Sequence, residues 1–185
     1  MEHTKEMTDF FFDRTHRHVD LVIKWYSRCM EYLDYEKRKY VHIYEHDESK
    51  FNYPEFLPYV HITWYYKNKD YVLDEETKEL VAEATFHHIK SNKHHPEYWD
   101  NNFNEDVFNK QNRDDIPNQI VDATGMPIEY VIEMTADWFA VAEEKGTDPY
   151  EWASFTIDKR WNFNIKQKAV IYDLMNNVWK PWSEK

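Results

Sequence analysis

The segment after Phe10-Phe11-Phe12 most constrains how this chain can fold. Apolar residues recur in it at three- and four-residue intervals, which is the spacing that lines one face of an α-helix. These positions are Val19, Val22, Ile23, Tyr26, Met30 and Leu33. Because similar patterns recur along the chain, we predict an all-α fold, a bundle of roughly six to eight helices.

Capping residues and prolines place the other helices. Asp74 is positioned to cap a helix that carries His88, and Pro96 predicts the end of that helix at about His95. The further helices are expected over about 35–47, after the turn at 52–55, from Pro127 to a C-cap at Gly146, and over about 165–178.

Length and composition predict a single domain. A chain of 185 residues can build a proper core but is short for two domains, so we assign residues 1–185 to one. Residues 100–127 are rich in Asn, Asp and Gln, and we expect a long, partly ordered connection that could cover a site. With only Gly125 and Gly146 present, phosphate-binding glycine motifs are absent.

Charge and cysteine content limit the partners. The formal charge of −12 and the isoelectric point near 5.2 argue against extended contact with nucleic acid or an anionic membrane. Cys29 is the single cysteine, which excludes an intramolecular disulfide, and no apolar segment suggests export. We therefore expect a cytoplasmic protein that acts on a small molecule. A homo-oligomer is compatible with this sequence.

Four histidines fall within ten residues in the segment from Phe86 to Trp99. Neutral imidazole is the commonest protein ligand of divalent transition metals, so these histidines predict a metal site. On a continuous helix, His88, Asn92 and His95 would share one face, with the last ligand in the turn that follows. A solvated histidine-rich helix and a structural zinc site are the alternatives.

Other candidate ligands are dispersed along the chain. His18 borders an apolar stripe, His46-Asp47 ends a predicted helix, and Asp137 interrupts an apolar helix centre. Each also has an ordinary interpretation as a partly exposed histidine, a turn aspartate or an aspartate at an exposed edge. The candidate metal ligands are His18, His46, Asp47, His88, His94, His95 and Asp137, and the sequence leaves the choice between His94 and His95 open.

In chain order, these ligands resemble the metal-binding set of the HD-domain superfamily of metal-dependent phosphohydrolases. That superfamily is all-helical and holds a metal with a His, a His-Asp pair and a later Asp, while further histidines accompany a second metal. The resemblance implies an HD-domain-like helical bundle that binds one or two divalent ions. It does not distinguish Mn, Fe, Co, Zn and Mg.

Two shorter motifs extend the resemblance. Lys50 follows His46-Asp47 at the interval where the cyclic-dinucleotide phosphodiesterase branch carries a substrate-binding lysine. His94-His95 followed by Glu97 is similar to the paired-histidine motif of that branch. The interval from His88 is shorter here and the branch's glycine-rich motif is missing, so we do not expect cleavage of cyclic dinucleotides.

A resemblance that covers most of the chain is to an uncharacterised family common in phage and bacterial genomes. It rests on the segments His46–Phe51, His88–Glu97 and Glu133–Trp138. These motifs identify relatives better than they identify a reaction. For a phage-encoded chain, the expected location is the host cytoplasm.

The resemblance suggests roles for individual residues. Asp47 would bridge two metals, and Lys50, Asp47 and Asn92 are the candidate catalytic residues. Lys50, with Lys159 or Arg160, would neutralise phosphate charge, although the last two could also form a solvated surface pair. The other expected supports are Asn92 for His88 or His95, Glu133 for Asp137, His42 as a substitute for His18, and His61 and His87 as reserve ligands.

The leading functional hypothesis is a metal-dependent phosphohydrolase that acts on a small phosphorylated metabolite, with a nucleotide as the expected class. A rival is an HD-like di-iron oxygenase, which uses a very similar ligand order. A third hypothesis is a non-catalytic phage or host-interaction protein in which zinc only joins helices.

Overall fold

The computed structural model describes residues 2–34, 41–108 and 119–184, and the fold of these ranges is all-α, as predicted. The α-helices are α1 (Lys5–Tyr32), α2 (Phe56–Lys67), α3 (Glu75–Ser91), α4 (Ile128–Lys145), α5 (Pro149–Thr156), α6 (Ile165–Leu174) and α7 (Lys180–Ser183). Short 3-10 helices cover Val41–Glu45, Glu48–Phe51 and Pro96–Trp99, and a π-helical segment, Met175–Trp179, joins α6 to α7. The seven α-helices of the described ranges agree with the predicted six to eight helices.

A small parallel sheet was not expected. Its strands, β1 (Val121–Asp122) and β2 (Trp161–Asn162), have two residues each. They tie the end of the polar connection to the segment before α6. Within the described ranges, no helix combines the length and apolar character needed to cross a membrane.

The main core lies where α1 packs against α4 and where α4 in turn packs against α6. Trp25 of α1 contacts Phe139 of α4 edge to face, with ring centroids 5.4 Å apart. Cys29 is also fully buried in α1, and burial raises the pKa of its thiol to about 12. A protonated, buried thiol is a packing group rather than a nucleophile.

Two predicted helix caps are confirmed. The Asp74 carboxylate accepts a hydrogen bond from the Thr77 amide at 2.7 Å and begins α3. Gly146 adopts the left-handed conformation (φ 65°) after α4, and its amide donates to the Ala142 carbonyl. Glycine carries no Cβ penalty in this conformation, so it ends the helix at little cost.

The predicted end of α3 at about His95 is wrong. The helix ends at Ser91, and Asn92 is extended (φ −102°, ψ 122°). The backbone amide and the side-chain amide of Asn92 both donate to the His88 carbonyl, at 3.0 and 2.9 Å, so Asn92 caps the last turn of α3. His94 and His95 therefore lie in a turn, where helical phase does not apply.

The predicted helix over about 35–47 is also corrected in the part that can be described. Residues Val41–Glu45 form a 3-10 helix, and Asp47 is left-handed with φ 62°. Aspartate tolerates this conformation better than most residues, which breaks the helix before its expected end. Residues 35–40 lie outside the described ranges, as does the His42 side chain.

The polar connection is described only at its ends. Phe103 and Phe108 are buried in the main core, and β1 follows at residue 121. Residues 109–118, including Ile116, lie outside the described ranges, so the expectation that this segment covers a site stays a prediction.

Candidate metal centre

Four stretches of the chain bring an imidazole to the carboxylate of Asp47. α1 contributes His18, the turn before Glu48–Phe51 contributes His46, and α3 with the turn after it contributes His88 and His94. All five side chains are buried, and Asp47 is 1% exposed. Since a buried carboxylate needs compensating partners, this arrangement is not an ordinary surface cluster.

The two carboxylate oxygens of Asp47 face different pairs of histidines. Oδ2 lies 3.9 Å from Nε2 of His18 and 3.9 Å from Nε2 of His46. Oδ1 lies 3.2 Å from Nε2 of His88 and 3.8 Å from Nε2 of His94. Ligands about 2.1 Å from a tetrahedral ion stand about 3.4 Å apart, so both sides have the spacing of ligands around one ion.

Asp137 of α4 completes the first side. Its Oδ1 lies 3.0 Å from Nε2 of His18, and His18, His46 and Asp137 offer ligand atoms that all lie within 4.8 Å of one another. We call these three residues, together with Oδ2 of Asp47, subsite 1.

His88, His94 and His95 form a second group with ligand atoms within 4.8 Å of one another. The ring centroids of His88 and His95 are 4.8 Å apart, and those of His94 and His95 are 4.3 Å apart. We call these three residues, together with Oδ1 of Asp47, subsite 2. Because the turn after α3 folds back on the helix, both members of the His94-His95 pair reach this group.

Carboxylates hold the outer ring nitrogens of the histidines. The Nδ1 contacts are His18 to Glu144 (3.2 Å), His46 to Glu133 (2.9 Å), His88 to Glu55 (2.8 Å) and His94 to Glu133 (3.4 Å). A carboxylate that accepts a hydrogen bond from Nδ1–H favours the tautomer in which Nε2 can bind a metal. This carboxylate–histidine pairing is typical of metal sites and fixes both the tautomer and the ring orientation.

The sequence did not identify two of these carboxylates, and it did not predict the histidine partners of the third. Glu55 and Glu144 have no local signal, since each is an ordinary acidic residue near a helix end. Glu133 was expected to support Asp137, one turn along α4. It contacts His46 and His94, because its side chain extends across the site to the two imidazoles.

One buried atom tests whether the site suits a metal. Nε2 of His46 is buried and makes no hydrogen bond to any described residue, although Nδ1 of the same ring is bonded to Glu133. A buried imidazole nitrogen without a partner is costly. A metal ion in subsite 1 would satisfy it, so the donor set fits a divalent cation.

One family model matches most of this chain. The model of a family described as a family of unknown function, DUF5662, matches residues 7–177. The chain belongs to this family. The match spans every residue of both subsites, while no curated protein and no solved structure gives a significant match.

In this DUF5662 protein, the neighbouring charges shift the pKa values of His18 and Asp47. Burial lowers the pKa of His18, but hydrogen bonds to Asp137 and Glu144 outweigh burial and raise it to about 9. Burial raises the pKa of Asp47, but Lys50, His46 and His88 outweigh it and hold that pKa well below its usual range. The Asp47 carboxylate is therefore ionised at neutral pH, and His18 carries a proton when no metal is bound.

Lys50 and Asn92 lie beside the ligands. Lys50 Nζ contacts Oδ2 of Asp47 at 2.6 Å and lies 5.3 Å from the Tyr59 ring centroid. The Asn92 amide donates to Ser49 Oγ at 2.8 Å as well as to the His88 carbonyl. Lys50 thus contacts subsite 1 directly, and Asn92 braces His88 of subsite 2 from behind.

The two expected cations of the last third are separated. Arg160 is buried, and its guanidinium contacts Glu97 Oε1 at 3.4 Å. Lys159 is exposed, and its Nζ donates to the Ser154 carbonyl at 2.8 Å. Arg160 lines a cavity with His94, His95 and Asp137, a lining that does not include Lys159.

The reserve histidines have other partners. Nδ1 of His61 lies 2.6 Å from the Tyr71 hydroxyl, and Nδ1 of His87 lies 2.7 Å from Oε1 of Glu55. Neither histidine is in a potential ligand group of the described residues. The side chain of His42, the proposed substitute for His18, is outside the described part, while His18 itself is in subsite 1.

Proposed function

We propose that this protein is an HD-type, metal-dependent phosphohydrolase that acts on a small phosphorylated metabolite of the nucleotide class. The observation that carries the proposal is the position of Asp47 between two histidine pairs, with one carboxylate oxygen facing each pair. A carboxylate in this position can bridge two ions, and two-metal sites are widely used to hydrolyse phosphate esters.

The charge of the site supports a metal requirement. Five carboxylates, those of Asp47, Glu55, Glu133, Asp137 and Glu144, surround the histidines, and Lys50 contacts the Asp47 carboxylate directly. A phosphate group would be repelled by this arrangement in the absence of cations. The ligands of the two subsites would hold divalent ions, which would supply positive charge to bind the phosphoryl group and to lower the pKa of the attacking water.

The residues of the chain would divide the work. The carboxylates behind the histidines hold the imidazoles in place, while Asp47 and Asp137 supply the oxygen ligands. Lys50 lies close enough to Asp47 to move its ammonium group to a phosphoryl oxygen, where it would stabilise the charge that develops there. Attack of water on phosphorus then breaks the ester P–O bond and releases phosphate and an alcohol, with no redox change.

Metal reconstitution tests the proposal. Protein loaded with manganese, cobalt or iron should release inorganic phosphate from members of a nucleotide panel, and a chelator should abolish the release. His18→Ala and Asp47→Ala should lose bound metal and activity together. His16→Ala is the matched control, because His16 is an exposed histidine on the same helix. Absence of phosphate release with unchanged metal content in both site variants would overturn the proposal.

The same experiment separates the rival functions. An HD-like oxygenase would bind two irons per chain and consume dioxygen in the presence of a polyol or phosphonate. A metal that only joins helices would occupy a closed site with four protein ligands. Its removal would unfold the protein, and the metal-loaded protein would show no turnover.

A further inference from the structure

A cavity of about 440 Å³ lies beside the metal centre, between the turn after α3, α4 and α5. His94, His95 and Asp137 form the part of its wall that belongs to the two subsites. Its volume is at the lower end of the range for small-molecule sites. It is therefore large enough for one metabolite of modest size whose reactive group lies against the metal ligands.

The wall of the cavity is buried near the metal centre and exposed at the mouth. Met134, Trp138 and Arg160 are buried, while Asp148 and Glu151 are exposed. The inner end thus has the Arg160 guanidinium beside the metal-site histidines, and the mouth has two acidic groups together with the exposed Lys145. A phosphoryl group is favoured at the inner end, while the mixed charges at the mouth impose no strong selection by charge.

Trp161 holds the side chains at the inner end of the cavity in place. Its ring is stacked on Trp138 with centroids 5.8 Å apart, and the Arg160 guanidinium lies 4.7 Å from its centroid. Its Nε1 donates to Glu97 Oε1 at 2.9 Å, the same oxygen that Arg160 contacts. These contacts hold Arg160 in place. Because they also cover the Trp161 ring, aromatic stacking with a ligand would involve other side chains.

Trp152 and Phe155 of α5 offer that contact at the mouth. They are three residues apart, so they share one helix face, and their ring centroids are 6.1 Å apart. Both line the cavity, Phe155 is 42% exposed, and Trp152 is partly exposed. Exposed aromatic rings at the mouth of a cavity provide both apolar area and a stacking surface.

We propose that Trp152 and Phe155 bind a planar ring of the substrate, while its phosphoryl group lies at His94, His95 and Asp137 near Arg160. The inference rests on the proposed function and narrows it. The site takes phosphate monoesters that carry an aromatic heterocycle, the class of nucleoside monophosphates, in preference to ring-free phosphate esters.

Replacement of the two rings by leucine tests the assignment. With Phe155→Leu and Trp152→Leu, kcat/KM for adenosine and cytidine monophosphates should fall about 5- to 150-fold, the range for loss of one base–aromatic stack. The value for glycerol phosphate should not change. Tyr66→Leu is the control, because Tyr66 is 77% exposed on α2. Equal losses for both kinds of ester, or no loss for either, would overturn the inference.

Stability has to be separated from recognition. Trp152 packs against the main core, so its replacement could unfold the protein, whereas Phe155 is more exposed. The urea midpoint of Phe155→Leu should match that of the unaltered protein. With its fold intact, a Phe155→Leu variant that keeps full preference for nucleotides contradicts the ring site.

Binding without turnover distinguishes this inference from the phosphohydrolase proposal. Adenosine and cytidine, which carry no phosphate, should bind the unaltered protein in a saturation-transfer NMR experiment and bind Phe155→Leu more weakly. If they do so while no phosphate ester is hydrolysed, the phosphohydrolase proposal fails and the ring site stands. If phosphate is released equally from ring-bearing and ring-free esters and neither nucleoside binds, the ring site fails and the phosphohydrolase proposal stands.

Discussion

Nδ1 of His46 lies 2.9 Å from Oε1 of Glu133, and both side chains are buried. The same glutamate oxygen lies 3.4 Å from Nδ1 of His94. Because His46 belongs to subsite 1 and His94 to subsite 2, Glu133 links the two subsites through the backs of their histidines. It orients one ligand in each.

Replacement of Glu133 should therefore weaken metal binding in both subsites. Loss of a carboxylate behind a ligand typically lowers metal affinity about 10- to 100-fold. We expect Glu133→Gln to lower both affinities by that amount in competition with a chromophoric chelator. Glu129→Gln, in the first turn of the same helix, is the control. Weakening of only one affinity would contradict the shared role.

Lys50 should act on the substrate rather than on the metal. Its ammonium competes with cations for Oδ2 of Asp47, so Lys50→Met should bind metal at least as tightly as the unaltered protein. If Lys50 stabilises phosphoryl charge, kcat should fall about 10²- to 10³-fold. Metal content and phosphate release are measured on the same samples, with Lys69→Met, a loop variant, for comparison. Loss of metal together with activity would instead assign Lys50 to the assembly of the site.

The stability of the metal-free protein should depend on pH through His18. The pKa of His18 is raised from 6.5 to about 9 in the folded state, so folding strengthens proton binding. This stabilisation is fully present below about pH 6.5 and is lost as the pH rises through about 9, with a total of up to about 3 kcal/mol.

Urea unfolding of chelator-treated protein measures this dependence. The free energy of unfolding should fall between pH 6.5 and 9, and His18→Gln should flatten the fall, whereas His16→Gln should not. Parallel pH profiles for the unaltered protein and His18→Gln would show that another group is responsible.

Glu97 should stabilise the cavity wall through its two contacts. It is 1% exposed, and its Oε1 accepts from Trp161 Nε1 and from the Arg160 guanidinium. Removal of one partner of a buried ion pair costs about 3–5 kcal/mol, so Glu97→Ala should lower the free energy of unfolding by about that amount. The double variant Glu97→Ala/Arg160→Met should lose less than the sum of the single variants. Additive losses would mean that the two groups act independently.

Local sequence signals predicted those helix features that depend on interactions between residues close in sequence. The apolar spacing of α1, the Asp74 cap and the Gly146 C-cap involve residues within a few positions of one another, so sequence alone was sufficient. The end of α3 was misplaced, because Pro96 was a visible stop signal while the side-chain bond of Asn92 to the last turn was not. The small sheet was missed, since its two strands are far apart in sequence.

The sequence by itself determined the types of ligand at this site: a histidine-rich segment, a His-Asp pair and an aspartate in an apolar helix. Only the tertiary structure decided which atoms meet. The glutamates that hold His88, His46 and His18 are 33, 87 and 126 residues away from them in sequence. Packing of α1 and α3 against their neighbours sets these distances, and no local pattern encodes a contact that depends on how separate helices pack.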